Sequence, residues 1–171
     1  MTFRPDLVGC WIFRVTPERG IEILLIRRAP DRIYPGIWQC VTGGLEGEEK
    51  VVDGALRELE EETGITAADL EALYGLDQVN LFHADHADSI MAEAVFAAHV
   101  RDGVEPRLSH EHDDFRWVSP DEAREAVVWP AYRTAIEHLE WLVAHPQHAP
   151  WLRAGHWSAD ADSETSAGAS R

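Results

Sequence analysis

The sequence predicts an α/β fold, an α/β/α sandwich in which a mixed β-sheet lies between helices. Three observations carry this. Apolar runs of strand length recur along the chain, at residues 7–15, 21–26 and 90–100, each bounded by turn residues. Helix-period segments stand between and after them, within residues 43–65 and from Pro120 and Pro130 onward. Strands and helices are interleaved rather than segregated, which favours helices on both faces of one sheet. A length of 171 residues with 45% apolar content fits one domain with a core of its own.

Residues 7–15 alternate weakly and are rich in β-formers, so they read as a strand. Pro17-Glu18-Arg19-Gly20 is a turn, and the apolar run 21–26 returns as a buried strand, giving a hairpin. Residues 27–36, with Pro30 and Pro35, form a loop. Residues 37–42 are short and extended and lead into a glycine turn and a helix. Residues 70–82 read as one strand or two, interrupted near Gly75. Residues 83–88 are polar and loop-like, 90–100 are a strand, and 101–110 are a loop. Phe115 to Val118 alternates as a last strand. Ser119 then supplies an N-cap with Pro120 at the first helical position, and Pro130 opens a further helix with an apolar face.

The stretch 43–65, a glycine-rich turn running into a helix, is the most informative element. By angle, Glu58, Glu61 and Glu62 share one face, while Val52, Ala55, Leu56, Leu59 and Thr63 form an adjacent stripe for packing. Asp53 and Glu60 point to solvent. Gly54 lies one turn before the glutamates, where a missing side chain leaves room for a ligand. Gly64 is placed for a left-handed C-cap. Like charges four apart on a helix repel. Such a cluster is favourable when a hard divalent cation takes its oxygens.

Gly43, Glu49, Arg57-Glu58-Leu59, Glu61-Glu62 and Gly64-Ile65 stand at the spacings of the Nudix signature, so the chain resembles the Nudix hydrolase family. Chance agreement at so many fixed residue types is on the order of one in a hundred million per start position. A solvated acidic helix is the bland alternative. The resemblance spans about residues 4–145 and implies a Nudix-type sandwich with the signature helix beside the active site.

The resemblance also implies roles. Glu58 and Glu62 are expected as principal metal ligands, with Glu61 contributing directly or through water, and these three as the catalytic set. Glu49 and Arg57 are expected to brace the loop against the helix, with Gly43 and Gly64 as structural support; an exposed ion pair is the alternative. Glycine usually directly precedes the first signature glutamate, but here Glu48 does and glycine is at Gly47. The bend is therefore expected to shift, with Thr42 or Gly43 offering a backbone oxygen to the metal. Glu111 either completes the metal site or is an exposed loop acid. Trp38 either packs in the core or stacks on a substrate ring. Arg27, in preference to Arg28, is the candidate phosphate ligand, and Thr42 a further substrate contact.

The implied chemistry is Mg2+-dependent hydrolysis of a phosphoanhydride, with Mn2+ substituting. Residues 37–43, 111–118 and 129–137 are similar to the branch acting on dATP and dihydroneopterin triphosphate. The expected reaction thus releases a monophosphate and pyrophosphate from a nucleoside or pterin triphosphate. ADP-ribose or another diphosphate-linked substrate is the alternative, as is a non-catalytic nucleotide sensor.

A net charge of −16 argues against a nucleic-acid polymer or an anionic membrane as partner. It does not exclude an anionic small substrate, because a bound cation inverts the local sign. No apolar run approaches the roughly 20 residues of a membrane span, and no secretory pattern opens the chain. A cytoplasmic location is expected. Cys10 and Cys40 sit in apolar runs and read as buried free thiols. His83, His86, His110 and His112 lack the spacing of a zinc site and read as surface loop histidines. The domain is expected over 1–157 and a disordered tail over 158–171. Trp151, Leu152 and Trp157 either fold back on the domain or make an oligomer contact. Many family members pair, so a homodimer stays open.

Overall fold

The computed structural model describes residues 3–155. Among them the chain runs β1 (Leu7–Thr16), β2 (Gly20–Arg28), β3 (Trp38–Gln39), β4 (Val41–Gly44), α1 (Val51–Thr63), β5 (Leu70–Ala84), β6 (Ser89–Val100), β7 (His112–Val118), α2 (Pro120–Ala126), α3 (Pro130–Ala144) and α4 (Ala149–Leu152). The expected tail and Trp157 lie outside the described residues.

β1 and β2 form the expected hairpin, with Phe13 opposite Ile23 and Thr16 opposite Gly20. β1 also runs parallel to β6, from Leu7 beside Glu93 to Phe13 beside His99, so the sheet is mixed. The sheet divides along its length. The first half of β1 pairs with β4, while the far end of β2 takes β3. β7 lies on the other edge of β2, and β5 pairs outside β6.

Side-chain alternation splits the core in two. Trp11, Phe13, Ile23, Leu25, Val95 and Ala97 face α2 and α3, where Ala123, Ile136 and Leu139 cover them. Cys10, Ile12, Leu24, Ile26, Phe96 and Ala98 face the opposite way, against Ala55 and Leu59 of α1. Both faces are covered, which is why these strands read as nearly unbroken apolar runs.

α1 ends at Gly64, whose left-handed φ of 67° lets its N–H reach the Glu60 carbonyl. α2 starts with a reciprocal cap between Ser119 and Glu122. Several expectations change. Residues 37–42 break at Cys40 into two short strands. β5 takes in His83 and Ala84 of the segment 83–88, and a tight turn at Asp85–Ala87 leads to β6 at Ser89. The interruption in β5 is a register shift between Gly75 and Val79, with Asp77 at φ 51°. β7 begins at His112, ahead of Phe115. Leu152 packs on the α3 side, and the Ala154 N–H donates to the Leu73 carbonyl at 2.9 Å. The segment therefore folds back on β5, with Trp151 left exposed. Both cysteines are free and buried, and burial pushes the Cys10 thiol up to about 12. No helix among the described residues is long and apolar enough to cross a membrane.

Candidate active site

Arg57 reaches back from α1 to the loop that precedes it. Its Nε and Nη2 donate to the two oxygens of Glu49 at 3.2 and 2.8 Å, and Nη2 also donates to the Gly44 carbonyl at 2.9 Å. The Glu46 N–H donates to Glu49 as well, at 2.6 Å. Hydrogen bonds from Arg57 and Glu46 draw the Glu49 carboxyl down to about 2. The bend falls at Gly47, at φ 42°. Arg4, a residue the sequence did not flag, clamps the bend by donating to the carbonyls of Gly47 and Glu49. Gly54 has a different task from the one expected. A Cβ there would overlap the Leu45 side chain and come within 3.1 Å of Glu49, so the missing side chain makes room for the loop, not for a ligand.

One helical turn further on, the carboxylates are poorly satisfied. Glu58 and Glu62 are buried, at 8% and 4% exposure, while Glu61 stays in solvent. Glu62 Oε2 is buried and has no hydrogen-bond partner among the described residues. Burial, then the charges of Glu58 and Glu111, push the Glu62 carboxyl up to about 9, against a hydrogen bond from the Thr42 backbone. Burial also raises Glu58, opposed by Arg57, whose Nη1 donates to Glu58 at 2.7 Å and to Glu61 at 3.1 Å. Glu111 lies at the turn before β7, 3.7 Å from Arg32, and repels both Glu58 and Glu62. Gly43 is a steric necessity here, because any Cβ would overlap the Glu58 carboxylate.

Glu58, Glu61, Glu62 and Glu111 thus come to one corner, with Thr42 and Gly43 beside it. Among the described residues no three such side chains are placed to close on one point; Arg57 holds Glu58 and Glu61. The donor set nonetheless fits a hard divalent cation. It is all oxygen, it carries mutually repelling charge, and it contains a buried acceptor with nothing to accept from.

A cleft of about 590 Å³ opens beside this corner, with Thr42 and Arg28 among its walls. Arg28 carries positive charge toward Glu62. Arg27 does not line the cleft: it donates to Asp113 at 2.7 Å and lies 3.7 Å from Asp114. Neighbouring residues on a strand face opposite ways, so Arg28, and not Arg27, faces the cleft. Trp38 also sits outside the cleft, with the Arg116 guanidinium 4.3 Å over its ring and Arg27 at 5.6 Å. Its ring packs beneath arginines. His112 is buried rather than a surface residue, and desolvation lowers it to about 4. A second cavity of about 480 Å³, under α3 and α4, holds none of these acids.

The NUDIX domain profile matches residues 4–141. The chain belongs to the NUDIX family. The chain is 38% identical over 127 residues to an octanoyltransferase of Myxococcus xanthus, a match covering 72% of this chain but only 34% of that protein. The chain therefore spans about a third of that relative's length. It is 31% identical to a CTP pyrophosphohydrolase of Escherichia coli, covering 67% of this chain and 78% of the relative. It is 37% identical to an asymmetrical bis(5'-nucleosyl)-tetraphosphatase of Rattus norvegicus, covering 60% and 67%. Among solved structures, a NUDIX hydrolase of Listeria monocytogenes superposes with a TM-score of 0.71 at 27% identity, covering 84% of this chain and 97% of that one. The E. coli dihydroneopterin triphosphate pyrophosphohydrolase shares the fold at a TM-score of 0.67 and 23% identity, over 82% and 97%.

Proposed function

We propose that this Nudix hydrolase is a Mg2+-dependent pyrophosphohydrolase, with Mn2+ able to substitute. It cleaves a phosphoanhydride of a nucleoside or pterin triphosphate to a monophosphate and pyrophosphate. The observation that carries the reading is the buried, partnerless Glu62 oxygen among like charges, at the edge of a cleft that a nucleotide can enter. The CTP pyrophosphohydrolase relative supports the triphosphate class.

Glu58, Glu61 and Glu62 are the proposed ligands, with Glu111 completing the set. Bound there, Mg2+ would relieve the repulsion between polyphosphate oxygens and an incoming water. Arg57 keeps α1 and the loop in register through Glu49 and orients Glu58 and Glu61. Gly43 lets the strand approach the Glu58 carboxylate. Thr42 and Arg28 line the inner cleft, and Arg28 offers a guanidinium to a phosphate. Burial of Glu58 and Glu62 strengthens the charge–charge contacts that these two make.

The relative from Rattus norvegicus favours a second reading, a dinucleoside polyphosphate substrate. One assay separates the readings. CTP, dATP, dihydroneopterin triphosphate, a dinucleoside tetraphosphate and ADP-ribose are each incubated with the protein and Mg2+, and the products are identified. Pyrophosphate from a triphosphate is the expected result. Two monophosphates from ADP-ribose with no pyrophosphate from any triphosphate would overturn it, as would binding without hydrolysis.

A further inference from the structure

The cleft has a polar floor that the hydrolytic chemistry leaves unused. Glu93 of β6 is 5% exposed and lines it, and its Oε2 accepts from Asn80 Nδ2 at 2.7 Å. Asn80 Oδ1 accepts in turn from Gln78 Nε2 at 2.7 Å, and that same nitrogen donates to the Ala131 carbonyl at 3.0 Å. A carbonyl can only accept. The order of donors is therefore fixed along the chain: Gln78 gives to Ala131 and to Asn80, and Asn80 gives to Glu93. Glu93 Oε2 is held as an acceptor. Gly9 makes the position possible, since a Cβ there would come within 2.8 Å of Glu93 Oε1.

The walls above this floor are flat and apolar. Tyr34 and Trp129 stand edge to face with centroids 5.5 Å apart, and Phe82 lines the same space. All three are substantially exposed, so no described part of the chain covers them. Exposed aromatic faces above a buried hydrogen-bonding edge suit a planar heteroaromatic ring. The inner end, at Thr42 and Arg28, lies toward Glu62. A nucleotide would thus run from its ring at Glu93 to its phosphates at the acidic corner.

We propose that Glu93, oriented by Asn80, selects substrates whose ring carries an exocyclic amine, such as cytosine, adenine or a 2-aminopterin, over rings with a carbonyl in that place. A ring amine donates to the oxygen that Asn80 holds as an acceptor; a ring carbonyl would set acceptor against acceptor. Burial raises the Glu93 carboxyl, opposed by Asn80, but a carboxyl oxygen accepts whether or not the group is ionised. A site built to bond a polar group discriminates strongly against the analogue that lacks it.

The inference rests on the triphosphate reading above, and its test separates the two. Within each of the pairs CTP/UTP and ATP/ITP the exocyclic amine is exchanged for a carbonyl, and the adjacent ring nitrogen changes with it from acceptor to N–H donor. The wild-type kcat/KM should favour the amine-bearing member of each hydrolysed pair by roughly tenfold or more. In Glu93→Leu, which removes the acceptor and keeps an apolar side chain of similar length, the ratio should fall to within about threefold, mostly through KM. Asn80→Ala should move it the same way, and that variant decides the matter if Glu93→Leu melts abnormally. Equal use of both members, or an undiminished preference in the variants, overturns the inference while leaving the hydrolase reading intact. If nothing is hydrolysed, tryptophan quenching by the same nucleotides still decides. Amine-selective binding that weakens in Glu93→Leu or Asn80→Ala supports the inference and sinks the hydrolase reading; unselective binding, or none, sinks both.

Discussion

Glu49 and Glu62 belong to one loop–helix unit and are treated in opposite ways. Glu49 accepts from two guanidinium nitrogens and a backbone N–H and is drawn down to about 2. Glu62 is buried with one oxygen unpartnered and is pushed up to about 9. Arg57 stands between these regions, satisfying Glu49 fully and Glu58 partly. The first carboxylate fastens the loop, and its environment is complete. The second is left incomplete at a cost to the isolated fold, in the arrangement expected where an external cation supplies the missing partner.

The sharpest test of that contrast is to neutralise each member. Glu62→Gln should lower kcat with Mg2+ on the order of a thousandfold or more and weaken Mg2+ uptake in calorimetry, while the metal-free variant melts no lower than wild type. Near-normal turnover in that variant would erase the distinction between the two carboxylates. Arg57→Ala should come next. It acts through Glu58, Glu61 and the loop, so a loss of about 10- to 100-fold in kcat is expected, with a lower Tm. Arg57→Lys should not restore activity, because one ammonium cannot reproduce the fork that spans Glu49, Glu58 and the Gly44 carbonyl. Full rescue by lysine would reduce the brace to simple charge.

pH separates the two carboxylates by sign. Glu62 has a folded value, about 9, above its ordinary 4.5, so its ionisation is resisted in the folded state. The stability it leaves intact below 4.5 is lost as pH rises toward 9. Glu49 is depressed from 4.5 to about 2, so its contribution is present above 4.5 and lost as pH falls toward 2. Metal-free melting curves should therefore decline on both sides. Mg2+ and Glu62→Gln should each flatten the alkaline limb and leave the acid limb in place, whereas Glu49→Gln should affect the acid limb alone. An alkaline limb indifferent to both would mean that Glu62 is not the group responsible.

What the sequence conveyed and what it did not divide along physical lines. The Gly64 C-cap, the Ser119–Glu122 cap and the gathering of Glu58, Glu61 and Glu62 on α1 are local, set by spacing along one element. Glu49 with Arg57 was legible because the same loop and helix carry both. Arg4 on the Gly47 bend and Asn80 on Glu93 join residues far apart in sequence, and no periodicity announces such contacts. Gly54 was misread because its neighbours, Leu45 and Glu49, fold back from the preceding loop. His112 was misplaced because the strand begins ahead of the apolar residues that announced it.

The smallest effect belongs to two neighbours on β2, Arg27 and Arg28. β2 sends them to opposite faces. Arg27 is half-exposed and engaged by Asp113 and Asp114, and exposed pairs of this kind contribute little. Arg28 lines the cleft on the side of Glu62, where a phosphate would replace the solvent around it. Arg28→Ala should therefore raise KM for a triphosphate roughly tenfold, the scale of one lost charge-assisted hydrogen bond. Arg27→Ala should leave kcat and KM within about twofold of wild type. The two variants differ by one position and share one strand, so general damage to the sheet should affect both. If instead Arg27→Ala raises KM and Arg28→Ala does not, the phosphates lie toward Asp113 and Asp114. The unsatisfied Glu62 would then have to be explained without a polyphosphate beside it.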